Sequence, residues 1–243
     1  MSEKKPLEVL IINSKEDDRQ EWLALPTDAD KVRALFDRLG IEPVSRPQGS
    51  KADYYVSAVE TLPFQELDAV IGKYDTIDGL NWLASRLEAL DEKELATMQA
   101  AMIVGNYWRL PEVIDLTYNT EFYVLLPDVQ NEMQLGHYYL YDSGMVQMPE
   151  SWKPVVDDWS LGVVVMEQEK GQFTPQGYLV PSGDEWREVC GKERMIPEEY
   201  KAEFGRPTPA KEKQSVRGAL KQTGQPGREA PAKPKTKHHG PEL

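Results

Sequence analysis

Cysteine and histidine are scarce in this sequence of 243 residues, which contains one cysteine and three histidines. The single thiol, Cys190, excludes an internal disulfide framework and a zinc site built on cysteines, and it fits a reducing compartment. His238 and His239 lie near the C-terminus, so the body of the chain contains only His137. With no second body histidine, a catalytic or metal-binding role for His137 is disfavoured.

Long apolar runs are also absent. The apolar stretch around Val9–Ile12 is too short for the hydrophobic region of a signal peptide or for a membrane span. No other segment approaches the roughly eighteen apolar residues of a transmembrane helix. We therefore expect a soluble, cytoplasmic protein that does not associate with membranes.

No arrangement of residues predicts an enzyme. The pairs Asp17–Asp18 and Asp157–Asp158 could bind Mg²⁺ or act as acid and base, but adjacent carboxylates on a helix point about a hundred degrees apart. Cys190 has no histidine close in sequence, which favours a buried or incidental thiol over a nucleophile. The glycines are scattered as turn residues are and form no phosphate-binding loop: Gly136, Gly144, Gly162, Gly171 and Gly177. We predict no catalytic residue, no metal and no cofactor.

Acidic residues are present in large excess. Before residue 205 the chain has 38 Asp and Glu against 19 Lys and Arg, a net charge of −19, although the whole chain carries only −13. The apolar content of 40% is nevertheless sufficient for a folded domain. A strongly negative folded surface repels nucleic acid and attracts proteins that have basic, nucleic-acid-binding clefts. We therefore expect a protein partner and no direct binding of DNA by the acidic body.

The segment from Gly205 onward has the opposite charge, with nine Lys and Arg and three Glu. It is rich in Pro, Gly, Lys, Gln and Ala and has almost no large apolar residues, so we predict that residues 205–243 are disordered. This tail could hold nucleic acid loosely, fold back on the acidic body, or be a spacer without a partner. Its cationic residues include Lys211, Lys213, Arg217, Lys221, Arg228, Lys233, Lys235 and Lys237.

The first sixty residues predict a strand–helix–strand unit. Leu7–Ile12 and Tyr54–Val59 are typical of buried strands. Between them, LPTDADKVRALFDRLGI predicts a helix, with Thr27 or Asp28 as its N-cap and Gly40 as a left-handed C-cap. We assign residues 1–61 to an N-terminal αβ domain.

Residues 62–119 predict a helical domain with acids on the outward faces of its helices. Pro63 opens a first helix, Asp78 caps a second, and Asp91 with Glu94 has capping-box spacing before a third. In the short PEVIDLTYN segment, Pro111 is placed at the start of a further helix. The predicted outward acids are Glu66, Asp68, Asp75, Asp78, Glu88, Asp91, Glu92, Glu94, Glu112 and Asp115.

Residues 120–182 predict a second αβ domain. Glu121–Leu126 is typical of a strand, a helix follows through Glu132 and Leu140, and Pro149 starts a shorter helix. LGVVVMEQE and FTPQGYLV favour a terminal hairpin, although Leu161–Met166 could equally belong to a helix. Four aromatic residues are interpreted as core: Trp152, Trp159, Phe173 and Tyr178. Five more acids complete the candidate acidic surface: Asp128, Glu132, Asp142, Asp157 and Asp158.

The order of these elements resembles the ArdA antirestriction proteins carried by plasmids and conjugative elements. The similar strings are EWLALPTD, YYVSAVE before PFQEL, NWLASRLEALDEKEL, LGHYYLYDSGMVQMPESWKPVVDDWSLGVVV and GQFTPQGYLV. The resemblance covers roughly residues 7–182, and the ordered succession together with the acidic excess is more specific than any one string. A short extension at residues 183–204, with a helical turn in IPEEYKAEF, and the basic tail depart from the family pattern.

The resemblance implies an α+β fold, with three small domains in an elongated, curved homodimer. Family members imitate B-form DNA, occupy the DNA-binding cleft of Type I restriction-modification enzymes at the methyltransferase core, and so protect incoming mobile DNA. Dimerisation is placed near the segment Leu135–Pro149, which here is rich in apolar residues: Leu135, Tyr138, Tyr139, Val146 and Met148. Two alternatives remain open, an acidic adaptor for another basic DNA-associated protein and an enzyme that uses a divalent metal held by clustered acids.

Overall fold

The computed structural model describes residues 5–41, 53–190 and 196–201, which all belong to one compact unit. The predicted loop at 43–49 and the predicted disorder and basic residues of the tail lie outside the described residues. The same holds for residues 191–195 and 202–204 of the extension. The described chain is a mixture of helices and two small sheets, so the predicted α+β class is confirmed.

The N-terminal sheet contains three antiparallel strands in the order β2–β1–β3. They are β1, Leu7–Asn13, β2, Gln20–Leu25, and β3, Tyr54–Thr61. The predicted strand–helix–strand unit is wrong in one respect, because a further strand, β2, lies between β1 and the helix. Its signal is a period of two, with Leu23 and Leu25 buried and Trp22 and Ala24 exposed.

Helix α1, Ala29–Leu39, packs on this sheet and has the predicted ends. The Asp28 side chain accepts a hydrogen bond from the Lys31 amide at 2.9 Å, which confirms it as the N-cap. Gly40 has φ of 66°, the left-handed conformation that ends many helices. The Asn13 side chain then donates to the carbonyl of Leu39 at 2.9 Å, so β1 helps to close the C-terminus of α1.

Three helices follow: α2, Ile77–Ala89, α3, Glu92–Val104, and α4, Leu110–Leu116. The capping box of α3 is confirmed, because the amides of Glu94 and Asp91 each donate to the other's carboxylate at 2.8 Å. Pro111 lies in the first turn of α4 as predicted. The cap of α2 is Thr76, whose hydroxyl accepts from the Gly79 amide at 3.1 Å, and the assignment of this role to Asp78 is wrong.

The helix predicted after Pro63 is also wrong, since only a 3₁₀ turn forms there, at Gln65–Leu67. Leu67 and Val70 are buried and Ile71 is half-buried, so the apolar side chains do face the core. Their spacing is satisfied by a turn and a short irregular segment that leads to α2. Apolar periodicity over so few residues does not distinguish the two structures.

The second sheet is antiparallel in the order β4–β6–β5, with β4 at Tyr123–Leu126, β5 at Gln172–Thr174 and β6 at Gly177–Pro181. Helices α5, Glu132–His137, and α6, Asp158–Glu169, pack on each other. Leu161–Met166 is thus helical, and only the second predicted string forms the hairpin. Shorter helical segments complete this part: 3₁₀ turns at Thr120–Phe122 and Glu150–Val155, and a π segment at Tyr138–Asp142. A further 3₁₀ turn, Glu198–Tyr200, packs against α2.

Helices α5 and α6 cross at two glycines. A Cβ atom added to Gly136 would lie 1.7 Å from the carbonyl oxygen of Asp158, and one added to Gly162 would lie 1.8 Å from the carbonyl oxygen of Glu132. These separations are far below van der Waals contact. The absence of side chains at both positions therefore allows the two backbones to touch.

The buried apolar residues form two clusters. The larger runs from the N-terminal sheet through α2, α3 and α4, and it also includes Leu125, Leu179 and Cys190. The smaller lies between α5, α6 and the second sheet, around Leu135 and Tyr178. The division into three domains at 61/62 and 119/120 stays a prediction. None of the described helices combines the length and apolar character that crossing a bilayer requires.

Two of the four aromatic residues interpreted as core are not buried. Tyr178 is fully buried and Phe173 is half-buried, but Trp152 is 63% exposed and Trp159 is 54% exposed. The interpretation is wrong for both tryptophans. Trp152 belongs to a 3₁₀ turn with no buried residue, and Trp159 lies on the outer side of the first turn of α6.

Candidate functional site

The negative charge is concentrated in one part of the sequence. Residues 1–59 contain 11 acidic and 9 basic residues, a net charge of −2, whereas residues 60–190 contain 23 acidic and 7 basic residues, a net charge of −16. The whole-body excess therefore belongs almost entirely to residues 60–190. We call this part the acidic region.

The acids before residue 60 are largely matched by neighbouring cations. Arg38 donates two hydrogen bonds to Glu21, at 2.9 and 2.6 Å, and these bonds hold the pKa of Glu21 below its usual range. Ion pairs three residues apart follow the same pattern: Arg19–Glu16 at 2.6 Å and Arg33–Asp30 at 3.0 Å. Such pairs leave little unbalanced charge, so the N-terminal sheet contributes little to the negative field.

The fifteen predicted surface acids differ in their exposure. Seven are exposed: Asp68, Glu88, Asp91, Glu92, Asp128, Asp142 and Asp157. Six are half-buried: Glu66, Asp75, Glu94, Glu112, Glu132 and Asp158. The remaining two, Asp78 and Asp115, are 8% and 9% exposed, so the expectation that every acid faces outward is wrong for this pair.

Asp115 is buried because its carboxylate has an internal role. Its Oδ1 atom accepts hydrogen bonds from the amides of Val189 and Cys190 at 2.8 and 2.7 Å. Asp78 lies in the first turn of α2, where a negative charge is favourable near the helix N-terminus. Neither carboxylate is available to imitate an exposed phosphate.

Several of the other acids cap local structure. Asp91 and Glu94 form the capping box of α3, and Asp157 caps α6 by accepting from the Ser160 amide at 2.9 Å. The bonds from Ser160 hold the pKa of Asp157 below its usual value. Glu112 accepts from the Trp108 amide at 2.9 Å, and chiefly for that reason its pKa is also lowered. Lowered pKa values keep these surface groups ionised over a wider pH range.

Other acids are held by neighbouring side chains. Glu88 pairs with Lys5 at 2.7 Å, Asp68 accepts from the Thr61 hydroxyl at 2.8 Å, and Glu66 accepts from Gln99 at 3.2 Å. By contrast, Glu92, Asp128 and Asp142 are exposed and have no hydrogen bond or ion pair within the described ranges. These three carboxylates are therefore expected to contribute the least to the stability of the fold.

An open groove of about 540 Å³, lined in part by residues of α5 and α6, contains several acidic side chains. Asp128, Asp142 and Asp158 line it, together with apolar side chains that include Val129 and Met133. His137 also lines the groove, with Nδ1 3.1 Å from the Asp158 carboxylate and its ring 4.6 Å from the ring of Tyr141. Among the described residues, no cluster of three or more His, Cys, Asp and Glu side chains is placed to hold a metal ion.

The predicted dimer-interface residues do not all lie at the surface. Leu135 is fully buried and Tyr139 is 9% exposed, both in the smaller core, and the Tyr139 hydroxyl donates to Glu169. Tyr138, Val146 and Met148 are half-buried. Leu135 and Tyr139 therefore belong to the interior of the chain, in the same cluster as Val165 of α6 and Tyr178 of β6.

Several exposed apolar residues that were not predicted to form the dimer interface lie in the same part of the chain. Five of them are 54% to 83% exposed: Met133, Met145, Trp152, Val155 and Trp159. We call these five residues the apolar surface set. The sequence carries a signal of such exposure only for Val164 of α6, which is 48% exposed: Leu161–Met166 is apolar on every side although one face of the helix is enough to cover a small core.

Comparison with known proteins assigns the chain to a family. A family model described as antirestriction protein (ArdA) matches residues 18–180, about two thirds of the chain. No curated protein matches the sequence. The matched range includes all six helices and both sheets except β1 and the last residue of β6. It also contains nearly all of the acidic region. The chain therefore belongs to the ArdA family of antirestriction proteins.

Proposed function

We propose that this protein inhibits Type I restriction-modification enzymes by presenting its carboxylates in place of DNA phosphates. The observation that carries the proposal is the segregation of charge, since the acidic region holds a net −16 and the preceding residues only −2. The DNA-binding cleft of the methyltransferase core is lined by cations, and a folded polyanion competes with DNA for them. Inhibition of this kind requires no catalysis and no cofactor.

The amount of charge suits a DNA-like footprint. Duplex DNA carries one negative charge per ~1.7 Å of helix axis, so a net −16 corresponds to roughly 27 Å of duplex and two copies to roughly 54 Å. The length for two copies corresponds to about one and a half helical turns of duplex DNA. Because carboxylate–cation contacts are screened by ions, the affinity should fall as salt rises.

Two copies would be joined through the part of the chain that contains α5 and α6. The support is the apolar surface set, in which two tryptophans are more than half exposed. Large exposed apolar side chains that are close to one another in sequence, as these are, favour an interaction surface, and a two-fold dimer buries such a surface against its equal. The proposed assembly is an elongated dimer of three-domain chains that acts in the cytoplasm on behalf of incoming mobile DNA.

The test is displacement of a DNA duplex from a purified Type I methyltransferase at two salt concentrations. The informative variant is Glu92→Gln/Asp128→Asn/Asp142→Asn, which neutralises three carboxylates that have no internal partner. Its matched control is Asp17→Asn/Asp18→Asn/Asp37→Asn, which removes the same charge from exposed positions of the N-terminal part. Both variants preserve side-chain size, so they should fold as the parent does.

On the proposed mechanism, the first variant displaces DNA about tenfold less well, and the dependence of log affinity on log salt becomes shallower by up to about 2.7. The control should change either quantity much less. Equal effects from both variants would show that total charge is the only requirement, which contradicts a defined mimic surface. A folded parent protein that displaces no DNA would favour an acidic adaptor for a different basic protein.

A further inference from the structure

Two stretches beyond the family-matched range pack against the acidic helices. They are residues 182–190 and 196–201, which we call the C-terminal strap. The strap begins at the end of β6, where the Ser182 amide donates to the carbonyl of Phe122 at 2.8 Å. Since the matched range ends at residue 180, the strap is not accounted for by membership of the family.

The first anchor of the strap is a pair of buried polar side chains at the end of α4. Asn119 donates to the carbonyl of Arg187 at 2.8 Å and accepts from the Arg187 amide at 2.7 Å. Asp115 accepts from the two amides that follow, those of Val189 and Cys190. Asn119 is only 3% exposed, so loss of its bonds would leave buried polar atoms without partners, which is costly.

Apolar contacts reinforce this anchor. Cys190 is 5% exposed and belongs to the larger core. The ring of Trp186 meets that of Phe122 edge-on, with 5.4 Å between the ring centroids. The strap is therefore fixed both to α4 and to the 3₁₀ turn that leads into the second sheet.

The second anchor lies on α2. The ring of Tyr200 stacks on Trp82, with centroids 5.6 Å apart and planes inclined by 14°. Asn81 donates to the carbonyl of Tyr200 at 3.0 Å, while its side-chain oxygen accepts from the Thr27 amide at 2.7 Å. One side chain thus joins the strap, α2 and the segment that connects β2 to α1.

We propose that the strap is a brace that fixes α2 and α4 relative to both sheets, and that Asn81, Asn119 and Tyr200 are positioning residues for inhibition. The inference rests on the proposed function. Carboxylates that replace phosphates must meet cations whose positions are fixed by a DNA-binding cleft. A surface held in that arrangement before binding loses less conformational freedom on association, so it binds more tightly.

The positioning role is separable from a charge effect because Tyr200 is uncharged. Tyr200→Ala removes the stack on Trp82 and leaves the number of carboxylates unchanged. Any change in the salt dependence of binding then reports how many carboxylates meet cations at the same time. Tyr200→Phe retains the stacked ring and is the matched control.

The first measurement is hydrogen exchange of the full chain without a target. Tyr200→Ala should increase exchange of the α2 amides about tenfold, while Tyr200→Phe should leave them as in the parent. Unchanged protection of α2 in a folded Tyr200→Ala protein would overturn the brace, whatever the target. If Tyr200→Ala does not fold, Tyr200→Leu provides the same comparison with the site still filled.

The second measurement is the duplex-displacement assay. Tyr200→Ala should displace DNA about tenfold less well, with a salt slope lower by about one, and Tyr200→Phe should match the parent. A purely structural role would lower the melting temperature without changing the affinity or salt slope of the folded protein, and that result would overturn the positioning role. Failure of the parent itself to displace DNA would count against the proposed function and leave the exchange result intact.

Discussion

Substitution of Asp115 separates acids that hold the fold from acids that meet a partner. Asp115→Ala removes the acceptor of two amides, those of Val189 and Cys190, at a position that is 9% exposed. An unsatisfied buried amide costs about 1–3 kcal/mol, and partial relaxation makes roughly 2–4 kcal/mol a reasonable total. For a domain of this size that loss corresponds to a fall in melting temperature of about 5–15 °C.

The matched comparison is Asp115→Asn with Asp142→Asn. Asparagine at position 115 retains an oxygen that accepts from both amides, so most of the stability should remain. Each variant removes one negative charge, but Asp142 is exposed and has no partner among the described residues. We therefore expect Asp115→Asn to displace DNA as well as the parent protein does. Asp142→Asn should displace DNA slightly less well and should keep the parent's melting temperature.

Thermal unfolding followed by circular dichroism, together with displacement at low salt, checks both halves of this expectation. A melting temperature of Asp115→Ala within about 2 °C of the parent would mean that the strap contacts contribute little. A loss of inhibition by Asp115→Asn larger than that of Asp142→Asn, with the melting temperature and the hydrogen exchange of the helices as in the parent, would place Asp115 on the binding surface. Either result would refute the division between structural and partner-facing acids.

Four further outcomes are expected. Neutralising all four acids of Glu88–Glu94 with Asn and Gln should weaken displacement tenfold or more, while each single change should have little effect, because the proposed mimicry would spread over many contacts; one abolishing single change in a folded protein would contradict this. Gly136→Ala should lower the melting temperature strongly, since its Cβ would meet the backbone of α6, whereas Gly144→Ala, with φ of 69° and open space around it, should cost only about 1–2 kcal/mol. Asp157→Ala should lower the melting temperature at pH 7, and the difference from the parent should shrink as the pH falls below the unfolded pKa of ~3.9, because a carboxylate whose folded pKa is depressed stabilises above its unfolded pKa and loses that contribution as pH falls through the folded pKa. Trp159→Glu should shift the protein toward monomer, and an unchanged mass by light scattering would exclude the proposed interface.

The features that the sequence predicted correctly depend on local chemistry. Asp28 and Gly40 bound α1, and Asp91 with Glu94 caps α3, because each of these contacts joins residues within four positions of one another. The cap of α2 shows the limit of this reasoning. Thr76 and Asp78 are both good caps two residues apart, and local sequence alone does not decide between them.

The errors about the site come from contacts between distant parts of the chain. Asp115 resembles any other helical acid in the sequence, and its burial depends on Val189 and Cys190, more than seventy residues later. Leu135 and Tyr139 are apolar and lie in the expected segment, but only the crossing of α5 and α6 shows that they face inward. The uneven distribution of charge, in contrast, was available from the sequence once acids and cations were counted separately before and after residue 60.

The balanced charges of residues 1–59 have a consequence for how the molecule meets a target. A protein with uniform negative charge is attracted to a basic surface in any orientation. On the proposed mechanism the attraction acts mainly on residues 60–190, which carry a net −16 against −2 for residues 1–59, so a basic cleft would attract one part of the chain more strongly than the other. The acidic region would then turn toward the cleft before contact, over the last ~8 Å at physiological ionic strength and over longer distances in dilute salt. The ion pairs on α1 and β2 would thereby favour association in the productive orientation.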